Sequence, residues 1–301
     1  MKVLLLGATG YIGSVVMEHL LAKGYQVAAL LRGPRPLPTG VELRTADLSH
    51  PDSVRPDLAG DIDAVVHAGA PVGNWDVELA SVRSLLSGLN GRRRTFVYLS
   101  GTWVLGPSPT LRGVPAMLDE FSPVQPIDLV AGRDRLEAAV CAAPGANGIV
   151  IRPGLVHGRG GGIPELLVGW AHQHGVGTYV ATNETITWPM VDVDDLAALV
   201  TQVLRSGRSG QLVHAIAEPA VAVTEIAAAA DVAAGGPGRA KGWPLNQAGL
   251  ALGPAFAEAL ATSQRVRGLE APAFGWRPTR PGVLEDLCRG SYRTRSARAA
   301  S

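Results

Sequence analysis

Three glycines near the start of the chain have a spacing typical of a phosphate-binding turn. They lie after the apolar run Val3–Leu6 and before a helix that is closed by Gly24. The first glycine allows a tight turn, the second allows close approach of a phosphate, and the third lets the helix pack on the strand. The N–H groups and the positive end of such a helix attract a pyrophosphate. We therefore predict a bound dinucleotide, with contacts from Gly7, Thr9, Gly10, Tyr11, Ile12 and Gly13. The alternative is a structural turn without a ligand.

The end of the second predicted strand indicates which dinucleotide is bound. In NAD-binding proteins an acidic residue at this position binds the 2′-hydroxyl of the adenosine ribose. Here Leu31 is followed by Arg32, with Arg35 close behind. Arginine suits a 2′-phosphate, which a carboxylate would repel, so we predict NADP(H) as the cofactor and Arg32 as its ligand. The alternative is that both arginines are solvated loop charges.

The elements that must position these residues alternate between strands and helices. Short apolar runs typical of buried strands end near residues 6, 31, 67, 100 and 153, with helical spacing over 77–89 and 129–143. This alternation predicts an α/β fold, a Rossmann doubly wound parallel sheet with right-handed crossovers. Ligands of such sheets bind at the carboxyl ends of the strands.

The regular alternation weakens beyond about residue 158, which divides the chain into three predicted regions. Residues 1–158, completed by parts of 185–216, form the NADP-binding Rossmann domain. Residues 159–290 form mainly a small C-terminal substrate-binding subdomain, a lid over the sheet edge. Residues 291–301, rich in Arg, Ser and Ala, form a flexible tail.

Composition narrows the classes of partner. A formal net charge of +1 gives no general attraction to nucleic acid or to an anionic membrane, so we expect neither. Cys141 and Cys288 lack C-x-x-C spacing, which fits a reducing cytoplasm. No run is long and apolar enough to span a membrane. We expect a cytoplasmic protein with a small-molecule substrate, and a homodimer stays open.

Several further motifs resemble the extended short-chain dehydrogenase/reductase family, also called the NAD-dependent epimerase/dehydratase family. They span roughly residues 1–290 and comprise the glycine segment, Ala46-Asp47-Leu48, His67-Ala68-Gly69-Ala70, Arg152-Pro153-Gly154-Leu155-Val156-His157-Gly158, Val191-Asp192-Val193-Asp194-Asp195 and Gly275-Trp276-Arg277-Pro278. The resemblance implies that Asp47 accepts a hydrogen bond from the adenine amino group and that Leu48 packs on the ring. It also implies that the nicotinamide end of the cofactor is bordered by Ala68, Gly69, Ala70 and Pro153.

The chain departs from this family where the family's chemistry takes place. The family's catalytic hydroxyl falls on Gly101, and its Tyr-x-x-x-Lys pair falls on Leu129 and Arg133. Leucine cannot move a proton, and arginine stays protonated and can only donate hydrogen bonds. The chain therefore resembles an atypical member, in which we expect Arg133 to hold the nicotinamide ribose hydroxyls.

Replacement catalytic groups must lie at the carboxyl edge of the sheet. Ser100 and Thr102 flank Gly101 and can donate a hydrogen bond to a substrate oxygen. His157 stands where the family often has a tyrosine, and histidine is the usual acid or base near neutral pH. We predict these three residues as catalytic. We expect no metal site, because His172 and His174 would diverge on a helix.

Tryptophans are candidates for the substrate pocket. Trp75 and Trp103 follow strand ends, and Trp188 precedes a proline in the segment leading to the 194–195 helix. We predict that these three line a pocket for a flat, mainly apolar substrate, and that Trp170 is a core residue.

Three functions remain open at this point. The first is an NADP-dependent oxidoreductase acting on a small, largely apolar carbonyl, enol or imine metabolite. The second is a non-redox isomerase, dehydratase or cyclase with a structural cofactor. The third is an NADP-sensing regulator without turnover. The absent Tyr and Lys favour the last two, and the aromatic residues favour an enzyme.

Overall fold

The structure is a computed structural model that describes residues 1–69, 73–89, 94–111 and 114–293. The strands are β1 (Lys2–Leu6), β2 (Gln26–Leu31), β3 (Glu42–Thr45), β4 (Ala64–His67), β5 (Thr95–Leu99), β6 (Thr110–Leu111), β7 (Val114–Pro115), β8 (Asn147–Pro153), β9 (Leu155–His157), β10 (Gly177–Ala181), β11 (Thr187–Asp192), β12 (Gln211–Ala215), β13 (Glu218–Ala222) and β14 (Ala240–Pro244). The α-helices are α1 (Tyr11–Ala22), α2 (Trp75–Leu89), α3 (Arg133–Cys141), α4 (Ile163–His174), α5 (Val193–Ser206), α6 (Val223–Ala233), α7 (Leu245–Leu252), α8 (Pro254–Ala261) and α9 (Val283–Arg289).

A parallel sheet forms the centre of the fold. Over the described residues it has seven strands in the order β12-β8-β5-β4-β1-β2-β3. Val3 to Leu6 of β1 are all buried, as expected for a parallel strand covered on both faces. The chain moves outward from β1 to β3 and then returns to β4 on the other side of β1. The sheet therefore has a switch point between β1 and β4, where ligands of doubly wound sheets bind.

Helices cover both faces of this sheet. One hydrophobic core lies between the sheet and helices α1 and α5, and a second lies between the sheet and helices α2 and α3. This arrangement confirms the predicted α/β doubly wound fold. Among the described residues, the helices are too short or too polar to cross a membrane.

The C-terminal part has its own core. Strands β9, β11 and β13 form a small sheet, β10 pairs with β14, and helices α4, α6, α8 and α9 pack around them. Its apolar centre contains Trp170, Trp188 and Met190. Strand β12 and helix α5 return to the large sheet. The C-terminal region therefore has an apolar core of its own, separate from the two cores on the faces of the large sheet.

Two expectations from the sequence need correction. The helix predicted over 129–143 begins only at Arg133, after a short 3₁₀ turn at Asp128–Val130. The tail predicted from residue 291 is fixed at its start, because Tyr292 is 2% exposed and hydrogen-bonded to the backbone at Gly158 and Gly161. Residues 294–301 lie outside the described part.

Candidate functional site

The turn between β1 and α1 has the geometry that its glycines require. Gly7 has a φ of 77°, and a Cβ there would lie 2.5 Å from the Ala68 carbonyl oxygen. A Cβ on Gly13 would collide with the Gly7 carbonyl, so helix and strand pack closely only without side chains here. Gly10 is the N-cap of α1 and makes no side-chain cap. The first N–H groups of α1, at Tyr11 and Ile12, therefore remain available to a ligand.

An outer cavity of about 580 Å³ opens beside this turn at the carboxyl ends of β1, β2 and β3. Most of the residues predicted for the turn and the adenosine half of the cofactor line it: Gly7, Thr9, Gly10, Arg32, Asp47 and Leu48. Gly69, which was predicted to border the nicotinamide end, also lines this outer cavity. Arg35 and Ser49 also line this cavity. Arg32 and Arg35 are exposed, and neither forms an ion pair with another described residue. A pair of uncompensated guanidinium groups makes this end of the cavity positive.

Asp47 is held in one orientation by its own loop. Its Oδ1 accepts hydrogen bonds from the Ser49 N–H at 2.9 Å and from the Ser49 hydroxyl at 2.7 Å. These bonds lower the pKa of Asp47, with a smaller contribution from His50. Asp47 is therefore an ionised acceptor at neutral pH, suited to an amino group. Its contact with adenine stays a prediction.

The loop after β4 borders the same cavity. The Ala68 N–H donates to the Leu6 carbonyl at 3.0 Å, and the Gly69 N–H donates to His67 Nδ1 at 3.3 Å. Complete burial lowers the pKa of His67 to about 4, so the imidazole is neutral and can accept this bond. His67 thus positions the loop. Ala70, also predicted for the cofactor, lies outside the described residues.

An inner cavity of about 240 Å³ continues from the turn toward the loop after β9. Of the residues predicted for catalysis, cofactor or substrate, it is lined by Tyr11, Ile12, Ser100, Thr102, Trp103, Arg133 and Pro153. Gly154, Leu155, Val156, Gly162 and Ile163 also line it and were missed as site residues. The signal for the first three was present, since Gly154, Leu155 and Val156 belong to the family-like motif at 152–158. Gly162 and Ile163 follow that motif by a few residues.

Two polar groups in this cavity lack partners within the described protein. Ser100 Oγ is buried and makes no hydrogen bond, and Arg133 Nε is buried and also makes none. A Cβ built on Gly101 would lie 3.5 Å from Arg133 Nη1, which places the guanidinium against the backbone next to Ser100. Buried polar groups are normally paired. An unpaired hydroxyl and an unpaired guanidinium Nε–H, on two residues that line one cavity, are therefore candidate ligands for a bound oxygen.

Trp75 packs against the guanidinium group of Arg133. The Arg133 guanidinium carbon lies 5.3 Å from the Trp75 ring centroid, a distance that allows a cation–π interaction. Trp75 does not itself line the inner cavity. Its predicted contact with substrate is therefore replaced by a contact with Arg133. Trp103 lines the cavity as expected.

The position of the family's tyrosine is structurally altered. Leu129 is 36% exposed and lies in the 3₁₀ turn before α3, outside the inner cavity. Because α3 begins at Arg133, the two positions are not one turn apart on a helix here.

Tyr11 is the tyrosine that does reach the cavity, and its hydroxyl is already engaged. It donates to the Gly158 carbonyl at 2.8 Å. Burial, reinforced by nearby Tyr292 and Asp192, raises the pKa of Tyr11 well above its ordinary value. Tyr11 therefore ties α1 to the loop after β9, and its hydroxyl is a poor proton donor near neutral pH.

The structure contradicts the prediction for His157. Its side chain is 1% exposed and does not line the inner cavity, although its neighbour Val156 does. Its Nδ1 instead lies 3.7 Å from Oδ2 of Asp286 on helix α9. Side chains alternate along a strand, so neighbours in β9 point to opposite faces. His157 faces the C-terminal helix and is not the proton donor.

Trp188 is also misplaced in the sequence prediction. It is 1% exposed and packs in the C-terminal core, away from the inner cavity. Trp170 is a core residue of the same cluster, as predicted.

Comparison with known proteins identifies the family. A sequence profile of the NAD dependent epimerase/dehydratase family matches residues 3–216. The chain belongs to this family. Epimerase family protein SDR39U1 of Bos taurus is 28% identical over 255 residues, covering 79% of this chain and 82% of that protein. Protein YLL056C of Saccharomyces cerevisiae is 25% identical over 307 residues, covering 97% and 99%.

Solved epimerase-family structures share the fold. Human epimerase family protein SDR39U1 with NADPH has a TM-score of 0.76 and 22% identity, covering 97% of this chain and 99% of that chain. The UDP-glucose 4-epimerase of Thermus thermophilus, in complex with NAD, has a TM-score of 0.77 and 22% identity, covering 99% and 100%. The family and the two cavities support a nicotinamide cofactor. The substrate is a separate question.

Proposed function

We propose that this epimerase/dehydratase family member binds NADP(H) and transfers hydride between it and a small, largely apolar carbonyl, enol or imine compound. The observation that carries the proposal is the inner cavity. Apolar and aromatic side chains line most of it, while Ser100 Oγ and Arg133 Nε are buried there without partners. A sugar nucleotide would need several polar groups and basic residues for its diphosphate, and this lining offers one cation.

The residues present fit the cofactor. Gly7 and Gly13 leave room that a Cβ would fill, and the first N–H groups of α1 suit the pyrophosphate. Arg32 and Arg35 suit a 2′-phosphate at the outer cavity, and human SDR39U1 is described with NADPH. Arg133 offers a fork of donors for the nicotinamide ribose or for a substrate oxygen. When bound, the cofactor supplies or accepts the hydride.

The chain's own residues would stabilise charge without supplying a proton. The Ser100 hydroxyl donates a hydrogen bond to the substrate oxygen, and the Arg133 cation lies close enough to stabilise negative charge on it. Thr102 is buried beside them, and its carbonyl is fixed by Gln264 Nε2 at 2.8 Å. Since Tyr11 is engaged and His157 faces away, water delivers the proton that completes an alcohol or amine product.

One matched relative supports a carbonyl substrate. The protein named 2-alkyl-3-oxoalkanoate reductase, from Stenotrophomonas maltophilia, is 38% identical over 77 residues, covering 25% of this chain and 23% of that protein. Its name describes reduction of an alkyl-bearing oxo acid. The matched portion is a quarter of the chain, so it supports the reaction class and leaves the substrate open.

The test is NADPH turnover with a panel of small ketones, enones, imines and aldehydes, followed by loss of nicotinamide absorbance. We expect NADPH binding and oxidation with apolar members of the panel. UDP-glucose is assayed separately by chromatography of the UDP-sugars, because epimerisation causes no net change in nicotinamide absorbance, and we expect no conversion. Any ligand that co-purifies with the protein is identified by mass spectrometry and added to the panel. Turnover of UDP-glucose, or absence of NADPH binding, would overturn the proposal.

A non-redox enzyme is the second candidate, favoured by the leucine at the family's tyrosine position. It predicts conversion of the co-purified ligand with no net change in nicotinamide absorbance. A regulator that senses NADP without turnover predicts a stable protein partner and no conversion of any ligand.

A further inference from the structure

A second group of polar residues lies behind the inner cavity, where β9, β11 and α9 meet. His157 and Asp192 are paired in register at the ends of the parallel strands β9 and β11. Asp286 of α9 packs against them, and all three side chains are buried. One ligand atom from each residue lies within 4.8 Å of those from the other two. We call these residues the rear cluster.

The rear cluster carries excess negative charge. Among the described residues, no lysine or arginine forms an ion pair with Asp192 or Asp286. The nearby Asp194 is different, since Arg159 and His19 both pair with it. Burial raises the pKa of Asp192, and the charges of Asp194 and Asp195 raise it further. Two buried carboxylates without a cation are costly to keep ionised.

The imidazole of His157 has one ring nitrogen without a hydrogen-bond partner inside the cluster. Its Nδ1 is buried and has no hydrogen-bond partner among the described residues, although Asp286 Oδ2 lies 3.7 Å away. The group that faces this nitrogen is a carboxylate, and the second carboxylate, Asp192, has a ligand atom within 4.8 Å of those of the other two residues. A cation placed between them would satisfy all three groups at once.

Backbone and hydroxyl donors hold both carboxylates in place. Asp192 Oδ1 accepts from the Asp194 N–H at 2.7 Å as the N-cap of α5. Asp286 accepts from the Ser291 N–H at 2.7 Å and from its hydroxyl at 3.0 Å. Burial opposes it, but the proximity of His157 and the hydrogen bonds from Ser291 lower the pKa of Asp286. Such fixed outer partners are typical of carboxylates that bind metals.

We propose that the rear cluster, His157 with Asp192 and Asp286, binds a divalent first-row transition metal such as Zn²⁺ or Mn²⁺. One imidazole and two carboxylates are the ligands that these ions accept, whereas Mg²⁺ and Ca²⁺ prefer oxygen alone. Ligand atoms held at about 2.1 Å from a metal at tetrahedral angles lie about 3.4 Å from one another. The distance of 3.7 Å between His157 Nδ1 and Asp286 Oδ2 is close to this, and the limit of 4.8 Å for all three atoms means that Asp192 moves inward when the metal binds.

The metal would fasten the C-terminal helix to the loop that borders the inner cavity. A Cβ on Gly158 would collide with Asp192 Oδ2, so this loop passes directly over the cluster. Gly162 of the same loop lines the inner cavity. The site is structural, because the rear cluster does not line the inner cavity. The expectation of no metal rested on His172 and His174, which are not part of it.

The test uses full-length protein purified without chelators, then treated with EDTA and dialysed. We expect one equivalent of metal by elemental mass spectrometry before EDTA, binding of ZnCl₂ or MnCl₂ by calorimetry afterwards, and a higher melting temperature with metal. Asp286→Asn and His157→Gln should each weaken metal binding at least tenfold. His174→Gln, which removes an exposed imidazole of the same region, should bind like the parent.

Three outcomes would overturn the proposal. The first is parent protein that neither carries metal nor gains melting temperature with it. The second is equal metal binding by His157→Gln and the parent. The third is a cluster held only by proton sharing, seen as a melting temperature that depends on pH and on His157 but not on metal. The metal content of the parent protein tests the proposed metal site even if a variant fails to fold.

Discussion

The polar residues of the inner cavity stabilise charge more readily than they transfer protons. Ser100 and Arg133 face it without partners, Tyr11 is hydrogen-bonded to Gly158, and His157 faces the opposite side of β9. None of the described lining residues has a side chain that changes charge between pH 6 and 9. The turnover rate should therefore vary less with pH over this interval than that of an enzyme whose proton donor is a tyrosine.

Ser100→Ala tests the role of the hydroxyl. Removing one donor to a developing oxyanion costs about 100-fold or more in turnover, and NADPH affinity should change little. In the parent, turnover should be flat between pH 6 and 9. A steady-state pH series on parent and variant measures both. A single ionisation near neutral pH that disappears in His157→Gln would contradict this mechanism.

Arg32 should determine the preference for the phosphorylated cofactor. A charge-assisted hydrogen bond contributes about 1.5–3 kcal/mol, so Arg32→Ala should weaken NADPH binding by about ten- to a hundredfold and leave NADH binding unchanged. Fluorescence titration with both cofactors measures the change. Arg55→Ala is the control, because Arg55 is an exposed arginine paired with Asp57 and away from the cavity. Equal affinity of the parent for NADH and NADPH would rule out the assignment.

Burial of His67 should make stability depend on pH. Its native pKa, about 4, is below its ordinary value of 6.5, so the unfolded chain takes up a proton first as the pH falls. The stabilisation is complete above pH 6.5 and is lost progressively as the pH falls toward 4. Between pH 7.5 and 5 this residue should account for a loss of about 2 kcal/mol.

Urea unfolding at pH 7.5 and 5 checks that loss. His67→Gln removes the titrating group, so its stability should fall less than that of the parent over this interval. A parallel fall in parent and variant would show that other groups carry the pH dependence.

At the scale of elements, the strand-turn-helix unit of β1 and α1 depends on two glycines for different reasons. Gly7 and Gly24 have nearly the same φ, 77° and 78°. A Cβ on Gly7 would lie 2.5 Å from the Ala68 oxygen, whereas a Cβ on Gly24 meets nothing within 4 Å. Replacing each glycine with alanine therefore distinguishes the cost of backbone strain, which both variants share, from the cost of a steric clash, which arises only at Gly7.

Gly24→Ala should destabilise the fold by about 1 kcal/mol and leave NADPH binding intact, since strain in a left-handed residue is its main cost. Gly7→Ala adds a clash with the loop after β4 and should also weaken NADPH binding at least tenfold. Thermal melting and cofactor titration on both variants measure the two effects. Equal loss of NADPH binding in both would show that the turn tolerates a side chain at Gly7.

At the scale of the whole molecule, the C-terminal segment is hydrogen-bonded to the loop that borders the inner cavity. The Tyr292 hydroxyl donates to the Gly161 carbonyl at 2.6 Å and accepts from the Gly158 N–H at 3.0 Å. Both backbone groups belong to the loop beside Tyr11. The last described residues therefore contact a segment that lies more than a hundred positions earlier.

Tyr292→Phe should leave both backbone groups unpaired in a buried place, at a cost of about 1–3 kcal/mol in the free energy of unfolding. It should also raise the KM for substrate with little change in NADPH affinity. Chemical unfolding and steady-state kinetics measure these effects. Tyr179→Phe, in the C-terminal region away from this loop, is the control. An unchanged unfolding free energy would show that water replaces the hydroxyl.

The sequence predicted the sheet, because apolar runs and glycine turns act locally. Gly7, Arg32 and Asp47 line one cavity, while their contacts with a cofactor stay predictions. Sequence reasoning failed for His157 and Trp188, which were assigned from their distance to a strand end. Which face a residue occupies depends on strand register and on partners far along the chain, such as Asp286. No local pattern contains that information.

The order of strands in the sheet also affects how the chain is made. Strand β8 remains an exposed sheet edge until β12, residues 211–215, has left the ribosome and paired with it. During that interval the growing chain presents unpaired N–H and carbonyl groups, which are prone to pairing with other nascent chains. Tyr292 and Asp286 emerge later still. A slow stretch of translation between residues 153 and 211 would therefore lower the yield of folded protein more than one after residue 215.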